Sequence, residues 1–311
     1  MRKEPKQMLN WRTPQAEDID LLYQYTEKAG AFSSDASPVN VFLLKEKYNI
    51  RIAEQDGFLF RKYSGTNIPG RNGIAFPLGE GDISHAIELA VGDRHERGRV
   101  PEFIFLTEEQ SEIIHSLTGY EMQTDRGNSD YLYTADHLAE LTGSENRKKR
   151  NRVNRFERLY PGMRMKVSTS FEEKFCVDLL KVEERWFEDQ EEREDSAFVE
   201  RQEIYDACRY WEALGLIGAV VYSEDDTPVA MTIASKISEG AFDIHFEKCY
   251  GEYAQAGGFS YINKCFADHL RHEEGARWIN REEDIGLEGL RRAKMAYNPD
   301  QLLTKYHCRE V

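Results

Sequence analysis

Apolar residues in the first half of the chain follow two alternating periods, which predicts helices and strands in turn. Residues 17–28 carry apolar side chains at helical spacing, whereas residues 49–65 alternate on both sides of Asp56-Gly57, a pattern typical of a β-hairpin. An aspartate at position 82 then precedes a further helical pattern and is a suitable N-cap. Strand and helix patterns continue to alternate as far as the middle of the chain, so the first half predicts a mixed α and β domain.

The second half repeats this order. Helical patterns cover residues 171–194 and 199–213, and a strand pair turns at Asp225-Asp226. The strand "GAFDIHFEKCY" follows, and then a helix opened by two glycines, a short strand, a further helix and a last strand. The predicted fold class is therefore α+β, with mixed α/β structure in two successive domains.

A basic segment joins the two halves. Seven of the twelve residues from 147 to 158 are Lys or Arg. At 100° per residue, a helix here would present one mainly apolar side, formed by Lys149, Val153, Phe156 and Tyr160. Two interpretations of the opposite, basic side stay open: a solvated face that pairs with acidic surface, or an anion site lining the groove between the domains. The phosphate-binding residues of the second interpretation are Lys148, Arg150, Arg152 and Arg155.

These patterns divide the 311 residues into three parts. We predict an N-terminal domain over residues 1–142, a basic connecting helix over 143–162, and a C-terminal domain over 163–311. The length is sufficient for two domains of ordinary size, each with its own core.

The composition narrows the classes of function. The 41 basic and 56 acidic residues give a net charge of -15, which disfavours unspecific nucleic-acid binding. The longest apolar run, residues 216–222, is too short for a membrane span, and the N-terminus lacks the apolar core of a signal peptide. Five cysteines without C-x-x-C spacing argue against a disulfide framework or a zinc cluster. We therefore expect a cytoplasmic protein with reduced thiols and no metal site.

The strand "FDIHFEKC" carries the first candidate chemistry. In a regular strand, Asp243, His245, Glu247 and Cys249 would share one face, because side chains alternate. This face is either a wet surface or the wall of a cleft. In the second case His245 and Glu247 are candidate catalytic residues, since imidazole titrates near neutral pH and a carboxylate can orient it or act as a base.

The segment "GEYAQAGGFSYINKC" comes directly after that strand. A strand that enters a glycine turn and then a helix exposes backbone N–H groups, which suit phosphate. Gln255, Gly257 and Gly258 nearly fit the Q-x-x-G-x-G/A pyrophosphate loop of acyl-CoA-dependent GNAT acetyltransferases, although Ser260 occupies the last position. An ordinary turn is the alternative, and otherwise these residues bind the donor.

A dense polar loop, "NREED", follows the next strand and leads into a helix. Loops at strand ends often contact substrates, and the alternative is a capped helix with solvated charges. We predict acceptor-binding residues here and a catalytic Tyr297 on the helix that follows; the acceptor-binding residues are Asn280, Arg281, Asp284 and Lys294. The helical pair His269 and His272 lacks a third ligand, so no metal is expected there.

Three blocks, "KKRNRVNRF", "HFEKCYGEYAQAGGFSYIN" and "INREEDIGLEGLRRAKMAYNP", together resemble the phosphatidylglycerol lysyltransferase C-terminal domain family, in particular its stand-alone bacterial members. The resemblance covers roughly residues 10–308. It implies two tandem GNAT-like domains. It also implies kinship with enzymes that move an aminoacyl group from tRNA to an amine or hydroxyl of a lipid or peptide.

The favoured hypothesis is thus an acyl- or aminoacyltransferase. It would use acyl-CoA or aminoacyl-tRNA as co-substrate, with no tightly bound cofactor, and would act on a small-molecule or lipid-head-group acceptor. Two alternatives stay open: a non-catalytic protein that kept the GNAT-like fold, and a nucleic-acid-associated protein that uses the basic helix.

Overall fold

The computed structural model describes residues 8–65, 70–190 and 195–310, and the chain forms two compact units. Of these described residues, the first unit contains those up to Asp130, residues 283–287 and those from Leu302 onward; the second contains those within 131–282 and 288–301. The observed boundary thus lies earlier than the predicted 142. Compared with the predicted domains, the strand after Asp130 belongs to the second unit and the C-terminal strand belongs to the first unit.

The first unit is built on one mixed sheet. Its helices are α1 (Ile19–Lys28), α2 (Pro38–Leu43), α3 (Ile83–Glu96) and α4 (Glu108–Thr118). Its strands are β1 (Arg51–Gln55), β2 (Phe58–Tyr63), β3 (Gly73–Ala75), β4 (Leu78–Gly79), β5 (Glu102–Leu106), β6 (Glu121–Thr124) and β14 (Tyr306–Arg309). The strand order is β1-β2-β3-β5-β14-β6, and β4 pairs with β2.

Local signals in the sequence set the ends of these elements. Asp56 and Gly57 both have positive φ, as the tight β1–β2 hairpin requires. The Asp82 carboxylate accepts the N–H groups of Ser84 and His85 and so caps α3. Gly119 ends α4 in the left-handed conformation.

The second unit is built on another mixed sheet, with strand order β7-β12-β11-β10-β9-β8. Its helices are α5 (Ala135–Glu140), α6 (Arg147–Leu159), α7 (Glu173–Glu188), α8 (Asp195–Arg209), α9 (Gly251–Ala256), α10 (Gly258–Glu273) and α11 (Glu288–Met295). Its strands are β7 (Asp130–Thr134), β8 (Arg164–Ser168), β9 (Leu216–Tyr222), β10 (Pro228–Ser238), β11 (Ala241–Cys249) and β12 (Trp278–Asn280), and β13 spans Gln301–Leu303.

A β-bulge interrupts the pairing of β10 with β11. Ala234 pairs with Ile244 and Ile233 pairs with Phe246, so His245 is an extra residue on β11. Beyond the bulge, Glu247 pairs with Thr232, whereas Asp243 before the bulge pairs with Ser235. Because 232 and 235 are three positions apart on β10, Glu247 and Asp243 lie on opposite faces of the sheet.

The predicted fold class, α+β with mixed α/β structure in two successive units, is confirmed. Three details differ. The pattern did not predict two short elements, helix α2 and strand β6; the predicted last strand is divided into β13 and β14; and α9 lies between β11 and the glycines. The last residues of the predicted helix 171–194, namely 191–194, lie outside the described residues. No helix in the described part of the chain has the length and apolarity to cross a bilayer.

Candidate functional site

The carboxylate of Glu247 is held by two partners in the second unit. Asn263 on α10 donates its Nδ2 to Oε2 at 3.0 Å, and Arg281, directly after β12, donates Nη2 to Oε1 at 3.0 Å. The side chains of Glu247 and Arg281 are only 11% and 12% exposed. A largely buried ion pair that is also hydrogen-bonded keeps Glu247 in one orientation.

Tyr297 joins this ion pair to α6. The Arg281 guanidinium carbon lies 4.7 Å from the centre of the Tyr297 ring, and the Lys149 Nζ lies 3.4 Å from the same centre. The Tyr297 hydroxyl donates to Ser260 Oγ at 3.4 Å, and burial raises its pKa above the ordinary value. We refer to one group as the Lys149 cluster, formed by Lys149, Glu247, Ser260, Asn263, Arg281 and Tyr297.

Lys149 is the unusual member of this cluster. Its side chain is buried, and burial lowers its pKa to about 7, helped by the positive charges of Arg281 and Arg152 and opposed by Glu247. Within the described ranges no carboxylate forms an ion pair with it. At neutral pH a large fraction of this amine is therefore unprotonated, and such an amine can accept a proton.

The predicted two-sided character of α6 is confirmed. Lys149, Val153 and Phe156 are buried. Of the predicted phosphate-binding residues, Lys148, Arg152 and Arg155 are exposed.

Arg150 has a structural task. Its guanidinium donates to the carbonyls of Leu141 and Gly143, and the contact with Gly143 measures 2.6 Å. It therefore fastens α6 to the end of α5. Both contacts use Nη1, and the binding of phosphate by Arg150 stays a prediction.

The glycine turn differs from the predicted strand-turn-helix. Helix α9 precedes it, and Gly257 has a φ of 120°. A Cβ at Gly257 would lie 2.6 Å from the Arg152 carbonyl oxygen, and one at Gly258 would lie 2.5 Å from Cys249 Sγ. These glycines permit close packing of α10 on α6 and β11. The expected open turn is wrong, whereas Gln255 before it is exposed.

His245 lies on the other face of β11, apart from the Lys149 cluster. The bulge separates it from Glu247, so the prediction of one shared face is wrong. Its Nε2 lies 2.8 Å from Ser235 Oγ, and its Nδ1 lies 3.7 Å from both Asp243 Oδ2 and Glu282 Oε1. The ligand atoms of Asp243, His245 and Glu282 all lie within 4.8 Å of one another.

The predicted acceptor residues do not form one group. Arg281 belongs to the Lys149 cluster, whereas the Asn280 side chain accepts the N–H of Glu282 at 2.7 Å. Asp284 is buried in the first unit, where it accepts the Gly286 N–H at 2.9 Å. Lys294 is buried, with its Nζ 5.8 Å from the centre of the Tyr131 ring.

The histidines on α10 have other partners. The His269 ring stacks on Phe266, and the His272 imidazole lies 3.5 Å from Asp268.

Helix α7 contains a buried carboxyl group that the sequence pattern does not predict. Glu183 is 1% exposed, and within the described part of the chain neither of its carboxylate oxygens has a hydrogen-bond partner. Burial raises its pKa to about 7, with the charge of Glu200 acting in the same direction and that of Lys248 against it. Lys248 itself pairs with Glu200 at 2.9 Å and lies 3.4 Å from the centre of the Trp186 ring.

The first unit contains a buried ionic group around Lys305. Its Nζ lies 2.7 Å from Asp130, 3.1 Å from Asp35 and 3.8 Å from Glu283, and Glu283 also pairs with Arg71 at 2.8 Å. Burial alone would lower the pKa of Lys305, but the three carboxylates raise it above its ordinary value. We interpret this group as one that holds the C-terminal segment to the first unit.

The sequence missed Lys149 and Ser260 as site residues. The helical wheel predicts that Lys149 lies on the apolar side of α6, and a lysine beside Val153 and Phe156 is the signal in the sequence that points to a buried amine. Contacts of Asn263 and Ser260 depend on how α10 packs, which no local pattern shows.

Similar structures cover nearly the whole chain. A conserved protein of unknown function from Bacteroides thetaiotaomicron superposes with a TM-score of 0.87 at 27% identity, covering 98% of this chain and 100% of that one. L-PGS from Bacillus licheniformis gives a TM-score of 0.66 at 17% identity, covering 96% and 93%. FemX gives 0.56 at 10% identity, covering 96% and 97%. The last two show similarity of fold.

A sequence comparison gives the family. No curated protein matches the chain significantly. The sequence profile described as "Phosphatidylglycerol lysyltransferase, C-terminal" matches residues 27–309, which confirms the resemblance of the three blocks. The chain therefore belongs to the phosphatidylglycerol lysyltransferase C-terminal family.

Proposed function

We propose that the protein transfers an aminoacyl group from aminoacyl-tRNA to the amine or hydroxyl of a small-molecule or lipid-head-group acceptor, and that the Lys149 cluster carries out this step. The observation that best supports this proposal is the buried Lys149 amine, with a pKa of about 7, beside the Glu247–Arg281 ion pair. Membership of the family and the similarity to L-PGS support an aminoacyl rather than another acyl group.

In the proposed reaction the acceptor nitrogen or oxygen attacks the carbonyl carbon of the aminoacyl ester. Lys149 takes the proton from the acceptor as the new bond forms. The bond between the carbonyl carbon and the ribose oxygen then breaks, and Lys149 returns the proton to that oxygen. A base with a pKa near the working pH suits both transfers, because it can accept and release a proton.

Arg281 is the proposed donor to the reacting carbonyl. Its Nη2 is engaged by Glu247, and its Nη1 has no hydrogen-bond partner within the described part of the chain. A positioned donor of this kind stabilises the oxyanion that forms during acyl transfer. Glu247 acts as a positioning residue because it accepts from the Arg281 guanidinium, and Asn263 acts through Glu247, to which it donates.

The test uses tRNA charged with a mixture of labelled amino acids. One arm offers phosphatidylglycerol vesicles and a second a soluble diamine, and a third replaces the tRNA with labelled acetyl-CoA. We expect labelled product in an aminoacyl-tRNA arm and a loss of about 10²-fold or more in Lys149→Met. The control is Lys181→Met, which removes an exposed lysine on α7. Labelled product only in the acetyl-CoA arm would contradict aminoacyl-tRNA as the donor. Equal rates in Lys149→Met and Lys181→Met would contradict the role of Lys149.

A non-catalytic binding role is the second candidate. It is favoured by the glycine turn, whose Gly257 and Gly258 are buried against α6 and β11 instead of open to a donor. This role predicts a thermal shift with aminoacyl-tRNA, unaffected by Lys149→Met, and no labelled product in any arm.

A further inference from the structure

We propose that Asp243, His245 and Glu282 bind a divalent first-row metal ion, for which Zn²⁺ fits the ligands best. The three residues belong to the second unit and lie on the face of the sheet opposite Glu247. This site is independent of the proposed transfer reaction. It rests on the distances between the ligand atoms and on the orientation of the imidazole.

The spacing of the ligand atoms suits a single ion. His245 Nδ1 is 3.7 Å from an oxygen of each carboxylate. With ligand bonds of about 2.1 Å, two atoms this far apart subtend an angle of about 120° at the ion, close to the tetrahedral value. Side-chain shifts of a few tenths of an ångström would bring all three ligand atoms within bonding distance of one ion. The fourth position would be filled by water.

The imidazole is held in the orientation that a metal ligand needs. When His245 is neutral and protonated on Nε2, that nitrogen donates to Ser235 Oγ, 2.8 Å away. The lone pair of Nδ1 then points toward the two carboxylates. A hydrogen bond from the second ring nitrogen is the usual way in which proteins fix the tautomer of a metal-bound histidine.

Two backbone features bring the ligands together. Alternation along β11 places Asp243 and His245 on one face, and the bulge at His245 moves Glu247 to the other face. Glu282 has a φ of 55°, and the Asn280 side chain holds it there by accepting its N–H at 2.7 Å. Left-handed backbone at a non-glycine residue is strained and is frequent at functional sites.

The donor set and the burial select the kind of ion. One imidazole nitrogen and two carboxylate oxygens suit Zn²⁺ or Mn²⁺ and do not suit soft ions such as Cu⁺. Asp243 and His245 have side chains 0% and 1% exposed, whereas Glu282 is 28% exposed. A divalent ion would balance the two carboxylates, and Glu282 leaves a path by which the ion and water can enter.

The experiment measures Zn²⁺ binding alone. Protein treated with a chelator and desalted is titrated with zinc chloride, and the retained metal is quantified by mass spectrometry. We expect about one ion per chain, a rise in the unfolding temperature, and a visible absorption band when Co²⁺ replaces Zn²⁺. The variants His245→Gln and Glu282→Gln should weaken binding by at least about tenfold.

The matched control is His272→Ala, which removes a histidine whose side chain is 60% exposed. It should bind Zn²⁺ like the unchanged protein. Glu282→Gln changes a partly exposed side chain with little change in volume, so it keeps the test valid if His245→Gln fails to fold. Less than about a tenth of an ion per chain, or equal binding by Glu282→Gln, would overturn the proposal. Failure of the transfer assay would leave it standing.

Discussion

Lys149 lies on the buried side of α6, where a charged amine costs free energy unless it releases its proton. Its pKa of about 7 lies far below that of an unfolded chain. Stability should therefore rise with pH between about 7 and 10, because the folded form loses its buried charge before the unfolded form does.

The variant Lys149→Met tests this cost. It should raise the free energy of unfolding relative to the unchanged protein by roughly 2–4 kcal/mol more at pH 6 than at pH 10, because the buried charge exists only at the lower pH. Denaturant titrations at both pH values measure the difference. A pH-independent effect would show that Lys149 keeps an ordinary pKa.

Glu183 makes the stability of the folded protein depend on pH in the opposite direction. Its pKa of about 7 lies above the ordinary value, so the folded protein loses stability as pH rises from about 4.5 to 7. Glu183→Gln should therefore stabilise by about 2 kcal/mol at pH 8 and by little at pH 5. Thermal unfolding at both pH values provides the measurement, with Glu184→Gln, an exposed neighbour, as control. Equal effects of Glu183→Gln at the two pH values would contradict the assignment.

At the scale of single residues, the sequence predicts several of the site residues, but it does not predict the burial and the neighbouring charges that determine their chemistry. The sequence singled out Glu247, Arg281 and Tyr297, and the structure brings these three together. The helical wheel predicts a buried position for Lys149, but it carries no information about the pKa of its amine. A buried charge depends on what packs over it, and here that is Tyr297 and Arg281.

At the scale of elements, α6 depends on its buried stripe. Phe156 is fully buried, with Tyr160 and Tyr261 rings 5.2 and 5.0 Å away. Phe156→Ala should cost about 3–5 kcal/mol of stability, since it leaves a cavity between α6 and α10. The exposed Arg155→Ala should stay within about 0.5 kcal/mol. Chemical denaturation separates the two, and similar costs would mean that α6 is held by its basic side.

Gly257 tests the junction of α6 and α10. Alanine there would combine a φ of 120° with a Cβ 2.6 Å from the Arg152 carbonyl oxygen. We expect Gly257→Ala to lower stability by more than about 2 kcal/mol, whereas Gly98→Ala, with positive φ but open space, should cost about 1 kcal/mol. The comparison uses unfolding in urea. Equal losses would show that backbone conformation alone is responsible.

Two features at this scale escaped the sequence patterns. The alternation of side chains between the two faces of β11 is interrupted at the bulge, and no residue in "FDIHFEKC" predicts a bulge there. Helix α9 is a single short helix before two glycines, and its pattern is indistinguishable from a turn. Pairing with β10 and packing on α6 decide both, and these are contacts distant in sequence.

At the scale of the whole molecule, the α+β class and the two units were predictable because each half shows clear helix and strand periods. The boundary between the units could not be predicted, because it depends on pairing between strands that are distant in sequence. Strand β7 pairs with β12, and β14 pairs with β5 and β6. The net charge of -15 also constrains function. The proposed function requires tRNA binding, which on this acidic chain would depend on local basic surface, such as the exposed Lys148, Arg152 and Arg155, and would weaken as salt increases.

The central claim is that Lys149 acts as the base in aminoacyl transfer. The most direct measurement is the single-turnover rate of label transfer from aminoacyl-tRNA as a function of pH, for the unchanged protein and for Lys149→Met. We predict a rate that rises with pH through about 7 and then levels off, and a slow, pH-independent rate for Lys149→Met. An identical pH profile for the two proteins would contradict the claim.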